Sequence, residues 1–384
     1  MARSIDLVAA SEAAGRLGIS RTSLYAYVSR GLIRSFASPR DPRERLYAAD
    51  DVEALIRRRT RLRRPTAAAA SALDWGLPVL ETGLTRINEG RLYYRDANAI
   101  AFSETAALED AARLLVPGLP ADAFDRPSPA IADLRGPPAD SSAFLARAIG
   151  LLAQQAPGAD RPATVAAVLR LMAAAATGSD PGLEPLHEHL ARGWGAPKAA
   201  SAIRRALVLC ADHELSASAF AVRVAASTGA SLHHAAIAGL AALSGPRHGG
   251  ATDRARDLLR RCREPGGLAR VVAAEGDAPP SPLFGHPLYP GGDPRASALL
   301  AHLPLHPTDA ILLDAMERAF GEAPSIDVAL VLAETSYDLP EGAAFALFAT
   351  GRTVGWLAHA VEQQAQGSLI RPRARYVVAG DTDR

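Results

Sequence analysis

The chain has 384 residues, enough for two or three structural units and a large buried core. It is 48 % hydrophobic, only 5 % aromatic and 22 % charged, and its abundant Ala with few long β-branched runs points to a mainly helical protein. A net charge of +1 argues against wholesale electrostatic binding to nucleic acid.

Only Cys210 and Cys262 are present, too few for a disulfide framework and without metal-ligand spacing. The start, Met1-Ala2-Arg3-Ser4-Ile5-Asp6, has no apolar leader, and no stretch approaches 18 uncharged apolar residues. The expectation is a cytoplasmic chain with no membrane contact.

In chain order, residues 1–64 form a small basic unit, with fourteen Arg against seven Asp or Glu. Residues 7–17 suit a short helix with Ser11 at its N-cap. Gly18-Ile19-Ser20 is a turn, and Ser20 can cap a second helix over 21–30 that stops at Gly31. Residues 32–38 and Arg45-Leu46-Tyr47 read as strands around the turn Pro39-Arg40-Asp41-Pro42. Asp50-Asp51 opens a last helix ending in Arg57-Arg58-Arg59 and Arg61. This order resembles the winged helix-turn-helix of the excisionase and MerR-like families, with Arg21, Tyr25 and Tyr27 on or beside the recognition helix. DNA is the partner that this resemblance implies for residues 1–64.

Residues 65–72 read as a linker, and an Ala-rich helical body follows. Residues 117–142 are rich in Pro, Gly and Asp, so they are expected to be an irregular connection. Helices are expected over 143–156, 162–177, 196–211, 216–228, 231–243, 251–262, 307–320 and 342–364.

The polar residues of the second half are unusual. His213, His248 and His286 lie in short Gly- or Pro-marked loops or at helix ends, and Asp327 stands in an otherwise apolar stretch. Arg295 follows Asp293-Pro294, Arg352 falls inside the last long helix and Arg371 precedes Pro372. His and Asp together supply acid–base chemistry near neutral pH, and Arg forks hold carboxylates. Such a set suits a dicarboxylate that is polarised and attacked. His187, His189, His233, His234 and the pair Gly266-Gly267 fit packing, surface or turn roles.

Several motifs carry a resemblance. Asp212-His213-Glu214-Leu215-Ser216-Ala217-Ser218, Ser244-Gly245-Pro246-Arg247-His248-Gly249-Gly250-Ala251, and Phe284-Gly285-His286 followed by Asp293-Pro294-Arg295-Ala296 stand in order. Ser325-Ile326-Asp327, Gly351-Arg352-Thr353-Val354-Gly355-Trp356 and Leu369-Ile370-Arg371-Pro372 follow, with Gly90-Arg91-Leu92-Tyr93-Tyr94-Arg95 nearer the front. In type, order and spacing these resemble the citrate synthase family, in particular its shorter bacterial and archaeal members, from about residue 73 to 378.

The resemblance implies a mainly α fold with a large domain over 73–186 and 301–384 and a small domain over 187–300, working as a homodimer. It implies condensation of oxaloacetate with acetyl-CoA to citrate and CoA, with acetyl-CoA as co-substrate and no cofactor or metal. Asp327 would take the methyl proton, His248 hold the enol or enolate, and His286 polarise the oxaloacetate carbonyl. His213, Arg295 and Arg352 would bind oxaloacetate, with Arg371 arriving from the second subunit. The chain departs from the family where Pro287 and Pro290 replace two basic residues of the loop that helps hold CoA, where Arg247 replaces Leu, and where Asp96 replaces Gly. The rival readings are a 2-methylcitrate synthase using propionyl-CoA and a non-catalytic, oxaloacetate- or citrate-sensing DNA-binding regulator.

Overall fold

The computed structural model describes residues 7–17, 19–29, 32–38, 45–53, 55, 79–125, 131, 134–155, 162–275, 283–374 and 376. The expected linker 65–72, the turn at 39–42, the stop at Gly31 and the Arg57–Arg59 helix end lie outside these residues. The chain divides into two compact units, Met1–Glu81 and Thr82–Arg384.

In the first unit, strand β1 (Leu7–Ala9) leads into helix Ala10–Leu17, then helix Arg21–Ser29, then strands β2 (Ser35–Ala37) and β3 (Arg45–Ala48). The sheet order is β1-β3-β2, antiparallel throughout, with Leu7 opposite Ala48 and Ser35 opposite Tyr47. Residues 7–9 are therefore a strand where the sequence pattern suggests a helix, because β3 offers them a ladder and Val8 a buried face. Ser11 then falls inside the helix instead of capping it. Ser20 does cap the second helix, its Oγ accepting the Ser23 N–H at 3.2 Å. Val8, Ala13, Leu17, Leu24, Ile33, Tyr47, Val52 and Leu55 make a core that this unit owns by itself.

The second unit opens with a three-stranded antiparallel sheet, β4 (Thr85–Asn88), β5 (Arg91–Tyr94) and β6 (Ala97–Asn98). Glu89 and Gly90 join β4 to β5 with φ of 51° and 72°, the paired left-handed residues of a tight hairpin turn. At the end of β5, Arg95 donates to the carbonyls of Leu114 and Leu115 at 2.7 and 3.0 Å, satisfying the C-terminus of helix Leu108–Leu115. The sequence reading missed this sheet.

Helices then take over, close to the expected spans: Ser141–Ala153, Pro162–Thr177, Ala200–Leu209, Ala217–Ser227, Leu232–Leu243, Ala251–Arg263, Pro307–Phe320 and Ala343–Gln366. Asp140, Ser216 and Ser231 cap three of them through side-chain oxygens. The 24-residue helix Ala343–Gln366 is buried along most of its length, which its apolar, Ala- and Gly-rich sequence permits on every face. Two of its glycines set the site. A Cβ on Gly351 would stand 2.6 Å from the Leu207 carbonyl oxygen, and one on Gly355 2.6 Å from that of Ala211. Their absence lets the segment before His213 lie directly on the helix, where the Gly355 N–H reaches Ala211 O at 2.9 Å.

Candidate active site

Five segments converge on one polar cluster, the long helix Ala343–Gln366 with Phe348 and Arg352 and four others. The first is the turn after helix Ala200–Leu209, which carries His213. It is pinned by the buried Tyr94 hydroxyl, which donates to Val208 O at 2.7 Å, and by Glu214, which accepts the Ile87 N–H at 2.7 Å. The second is the turn before helix Ala251–Arg263, which carries His248. The third is the loop Leu283–Asp293 with His286 and Tyr289, ending at helix Pro294–Leu300 with Arg295. The fourth is the N-terminus of helix Ile326–Ser336, where Asp327 is the second helical residue. The third and fourth are tied together by Gly285 N to Ala323 O at 2.9 Å and Ser325 N to Leu283 O at 2.8 Å.

Within the cluster, the His213 ring meets those of His286 and Tyr289 edge-on, with centroids 5.2 and 5.5 Å apart. The Tyr289 hydroxyl lies 2.8 Å from His213 Nε2. Arg295 places its guanidinium 5.6 Å from the Tyr289 ring centre, and Arg352 places its own 4.9 Å from that of Phe348. Phe348 in turn touches the His248 ring edge-on at 6.0 Å.

Both arginines are buried. Asp293 grips Arg295 through Nε and Nη2 at 2.9 and 2.8 Å. Arg352 Nε donates to the Cys210 carbonyl at 2.8 Å, while its Nη2 is buried without a partner among the described residues. An ionised donor left open in the interior is costly, so it marks a place for an anion. Asp327 Oδ1 is likewise buried and unpartnered, and Oδ2 has only a long bond from Ser325 Oγ at 3.4 Å.

Burial pushes the Asp327 carboxyl up to about 7; the Arg295 charge opposes this and the Asp293 charge adds to it. Burial, then the charges of Arg352 and Arg295, hold His248 down at about 3. Burial and Arg295 hold His286 at about 4, and burial with the same cations drives His213 well below its ordinary value. At neutral pH the site therefore holds neutral imidazoles beside a carboxyl poised to exchange its proton.

One tautomer follows from the hydrogen bonds, and a second depends on which way Ser218 donates. The Leu288 N–H donates to His286 Nδ1 at 3.2 Å, so the His286 proton sits on Nε2. The Trp356 indole, a donor only, gives its N–H to Ser218 Oγ at 3.1 Å. Ser218 Oγ also lies 2.7 Å from His248 Nε2, and when Ser218 donates there the His248 proton is on Nδ1.

The structure thus gathers His213, His248, His286, Arg295, Arg352 and Asp327. Arg371 is exposed beyond the central helix and makes none of these contacts within the chain. Of the other histidines, His189 is fully buried, its Nε2 2.9 Å from Thr177 Oγ1, a packing role. Sequence reasoning overlooked Tyr289, Asp293, Ser218 and Phe348. Asp293 and Ser218 lie within quoted motifs, yet nothing in a one-dimensional pattern shows what they touch. Among the described residues, no group of acidic, His and Cys side chains could hold a metal ion, and no helix is long and apolar enough to cross a membrane.

The sequence and fold are similar to those of known proteins. The family model for the citrate synthase C-terminal domain matches residues 72–373. Citrate synthase 2 of Bacillus subtilis (strain 168) is 32 % identical over 192 residues, covering 47 % of this chain and 52 % of that protein. The chain thus spans about half the length of the relatives it matches. Citrate synthase from Thermotoga maritima MSB8 shares the fold with a TM-score of 0.62 at 22 % identity, over 80 % of this chain and 96 % of its own. A ternary complex of carboxymethyl coenzyme A and oxaloacetate with citrate synthase from Thermoplasma acidophilum aligns at a TM-score of 0.59 and 22 % identity, over 80 % and 96 %. With its motifs in order, its buried polar cluster assembled and most of its length matched, this chain belongs to the citrate synthase family.

Proposed function

We propose that the protein condenses oxaloacetate with acetyl-CoA, releasing citrate and CoA. The observation that carries this reading is Asp327, a buried carboxyl with one unpartnered oxygen, pushed up to about 7 in a cluster of neutral imidazoles and buried arginines. Binding a dicarboxylate needs the arginines alone. A carboxyl held near neutrality beside them serves proton abstraction, which favours an enzyme over a non-catalytic sensor.

The steps follow from the tautomers. Asp327 as carboxylate takes a methyl proton from acetyl-CoA. The developing enolate oxygen receives a hydrogen bond from His248 Nδ1–H, a fixed donor aimed where charge appears. His286 Nε2–H polarises the keto group of oxaloacetate and gives it a proton as the enolate carbon attacks. Arg352 Nη2 and the open edge of Arg295 hold the carboxylates, with His213 beside them, so the electrophile is aligned before reaction. Water then cleaves the citryl thioester. No cofactor is needed, because enolate chemistry of a thioester requires only a base and hydrogen-bond donors.

The same reading takes the protein as a homodimer in which the partner's exposed 368–374 segment brings an arginine to the site. It also takes residues 187–300 as the small domain that closes over residues 73–186 and 301–384 to keep the enolate from water. For the first unit, DNA remains the proposed partner of residues 1–64: two short helices followed by a β2–β3 hairpin have the order of a winged helix-turn-helix, and Tyr25 is 56 % exposed on the second helix.

Release of CoA thiol from oxaloacetate with acetyl-CoA or propionyl-CoA tests the activity. Turnover with acetyl-CoA is expected. Preference for propionyl-CoA moves the assignment to 2-methylcitrate synthesis, and no turnover with either, despite oxaloacetate binding, leaves the sensing reading. A gel shift at rising salt tests the DNA partner, since phosphate-led binding weakens with salt.

A further inference from the structure

We propose that Asp293 is a positioning residue that holds the substrate clamp and the catalytic base in register through one carboxylate. This rests on the reading of Arg295 as clamp and Asp327 as base.

Asp293 is 2 % exposed and uses both oxygens fully. Oδ1 accepts Arg295 Nε at 2.9 Å and the Arg295 backbone N–H at 3.0 Å, capping helix Pro294–Leu300. Oδ2 accepts Arg295 Nη2 at 2.8 Å and the Ile326 backbone N–H at 3.1 Å. Ile326 is the first residue of the helix whose second residue is Asp327. One side chain thus fixes the plane of the Arg295 guanidinium, the start of its helix and the start of the helix that carries the base.

The arrangement has a consequence for specificity of contact. With Nε and one Nη2 hydrogen engaged by Asp293, Arg295 keeps Nη1 and the other Nη2 hydrogen, the edge turned away from Asp293, for a substrate carboxylate. A rigid fork already locked by its own acceptor loses little entropy when substrate arrives.

It also has an electrostatic consequence. The charged and titratable groups around Asp327 are Arg295 and Asp293 from helix Pro294–Leu300, and Cys210 from the turn below; its own helix adds Glu334, engaged by Arg256 at the far end. His286 stands by Asp293 from the adjoining loop, and Arg352 lies near Arg295 from the central helix. The Asp293 carboxylate raises Asp327 against the Arg295 charge, which lowers it. Removing the Asp293 charge therefore leaves Arg295 unopposed and lowers Asp327.

The test is Asp293→Asn in the full chain, read as the pH dependence of kcat/KM together with the oxaloacetate KM. Asn keeps one acceptor oxygen, enough for one of the two backbone N–H groups, and drops the charge. The expected result is an acid limb displaced downward by about one pH unit, with the oxaloacetate KM raised about tenfold. Loss of rate with the acid limb unmoved and the KM unchanged would overturn the proposal, since a merely structural residue gives that pattern. If Asp293→Asn does not fold, Asp293→Ser retains a small cap oxygen and is held to the same two readouts. Turnover by the unmodified protein is measured first: its absence defeats the activity reading, and Asp293 is then judged by calorimetric oxaloacetate binding, where an unchanged affinity in the variant overturns the positioning role.

Discussion

The two sides of the polar cluster are built by opposite means. On the proposed dicarboxylate side, Arg295, Asp293, Tyr289, His213 and Arg352 are all buried, with Asp293 holding Arg295, Tyr289 meeting His213 and the Cys210 carbonyl holding Arg352. On the acyl side, Arg247, Pro287 and Pro290 are exposed, and only the His248 imidazole is held from behind, by Ser218. Burial strengthens each electrostatic contact on the first side, whereas water and salt screen the second. The dicarboxylate side should therefore tolerate substitution poorly and the acyl side well, and the base at their junction should be the least tolerant of all.

That ranking is broken most directly at Asp327. Asp327→Asn is expected to lower kcat about 10³-fold or more, with oxaloacetate binding by calorimetry changed little. In the unmodified protein kcat/KM should fall about tenfold per pH unit below the carboxyl's value of about 7, because the base must be ionised. Stability should run the other way. A carboxyl raised from 3.8 to about 7 on folding contributes its stability fully below about pH 4 and loses it as pH rises through 7. The ionised, buried Asp327 thus costs on the order of 2–4 kcal/mol at pH 8, and the Asn variant, free of that charge, should melt higher at pH 8 with the difference vanishing near pH 4. An unchanged melting temperature at pH 8 would show that the carboxyl is solvated, and so would return the site to the acyl side's rules.

Next in size is Arg352→Gln, which removes the unpartnered buried Nη2. Loss of a charge-assisted bond to a carboxylate should raise the oxaloacetate KM about 10²-fold while leaving the acid limb of the profile near 7. Ser218→Ala is expected to act on the other side of the junction. It frees His248 Nε2 from its donor, so the imidazole no longer has a fixed tautomer, and kcat should drop about tenfold with the oxaloacetate KM unaltered. If oxaloacetate binding falls as well, the two sides are coupled more tightly than their contacts suggest.

What the sequence reveals follows the same division. The residues proposed to do chemistry stand in short motifs, so His213, His248, His286, Arg295, Arg352 and Asp327 were legible, and the structure brings them together. Residues that hold them were not, because support comes from pairs far apart in the chain: Trp356 reaches Ser218 across 138 positions, and Asp293 reaches Ile326 across 33. Long helices were legible from Ala-rich runs and capping Ser or Asp. Leu7–Ala9 was misread because the local pattern is compatible with helix and only β3, some forty residues on, makes it a strand. The hairpin at Glu89-Gly90 carried a readable turn signal that the helical composition around it obscured.

The smallest expected effect falls at Arg247, and it sharpens the comparison most. Arg247 is exposed in the turn beside His248, and Pro287 and Pro290, where the family has two basic residues, are exposed on the loop Leu283–Asp293. If positive charge for the acyl-CoA phosphates has moved from that loop to this turn, Arg247→Ala should raise the acyl-CoA KM about threefold at low salt, as befits an exposed ion pair. The effect should shrink toward unity at about 0.5 M salt, where screening reaches within a few ångströms. The oxaloacetate KM should not move at either salt concentration, because Arg295 and Arg352 are shielded by burial. An acyl-CoA KM that stays unchanged at low salt would mean that Arg247 contributes no phosphate contact, leaving the thioester end and His248 to carry acyl recognition.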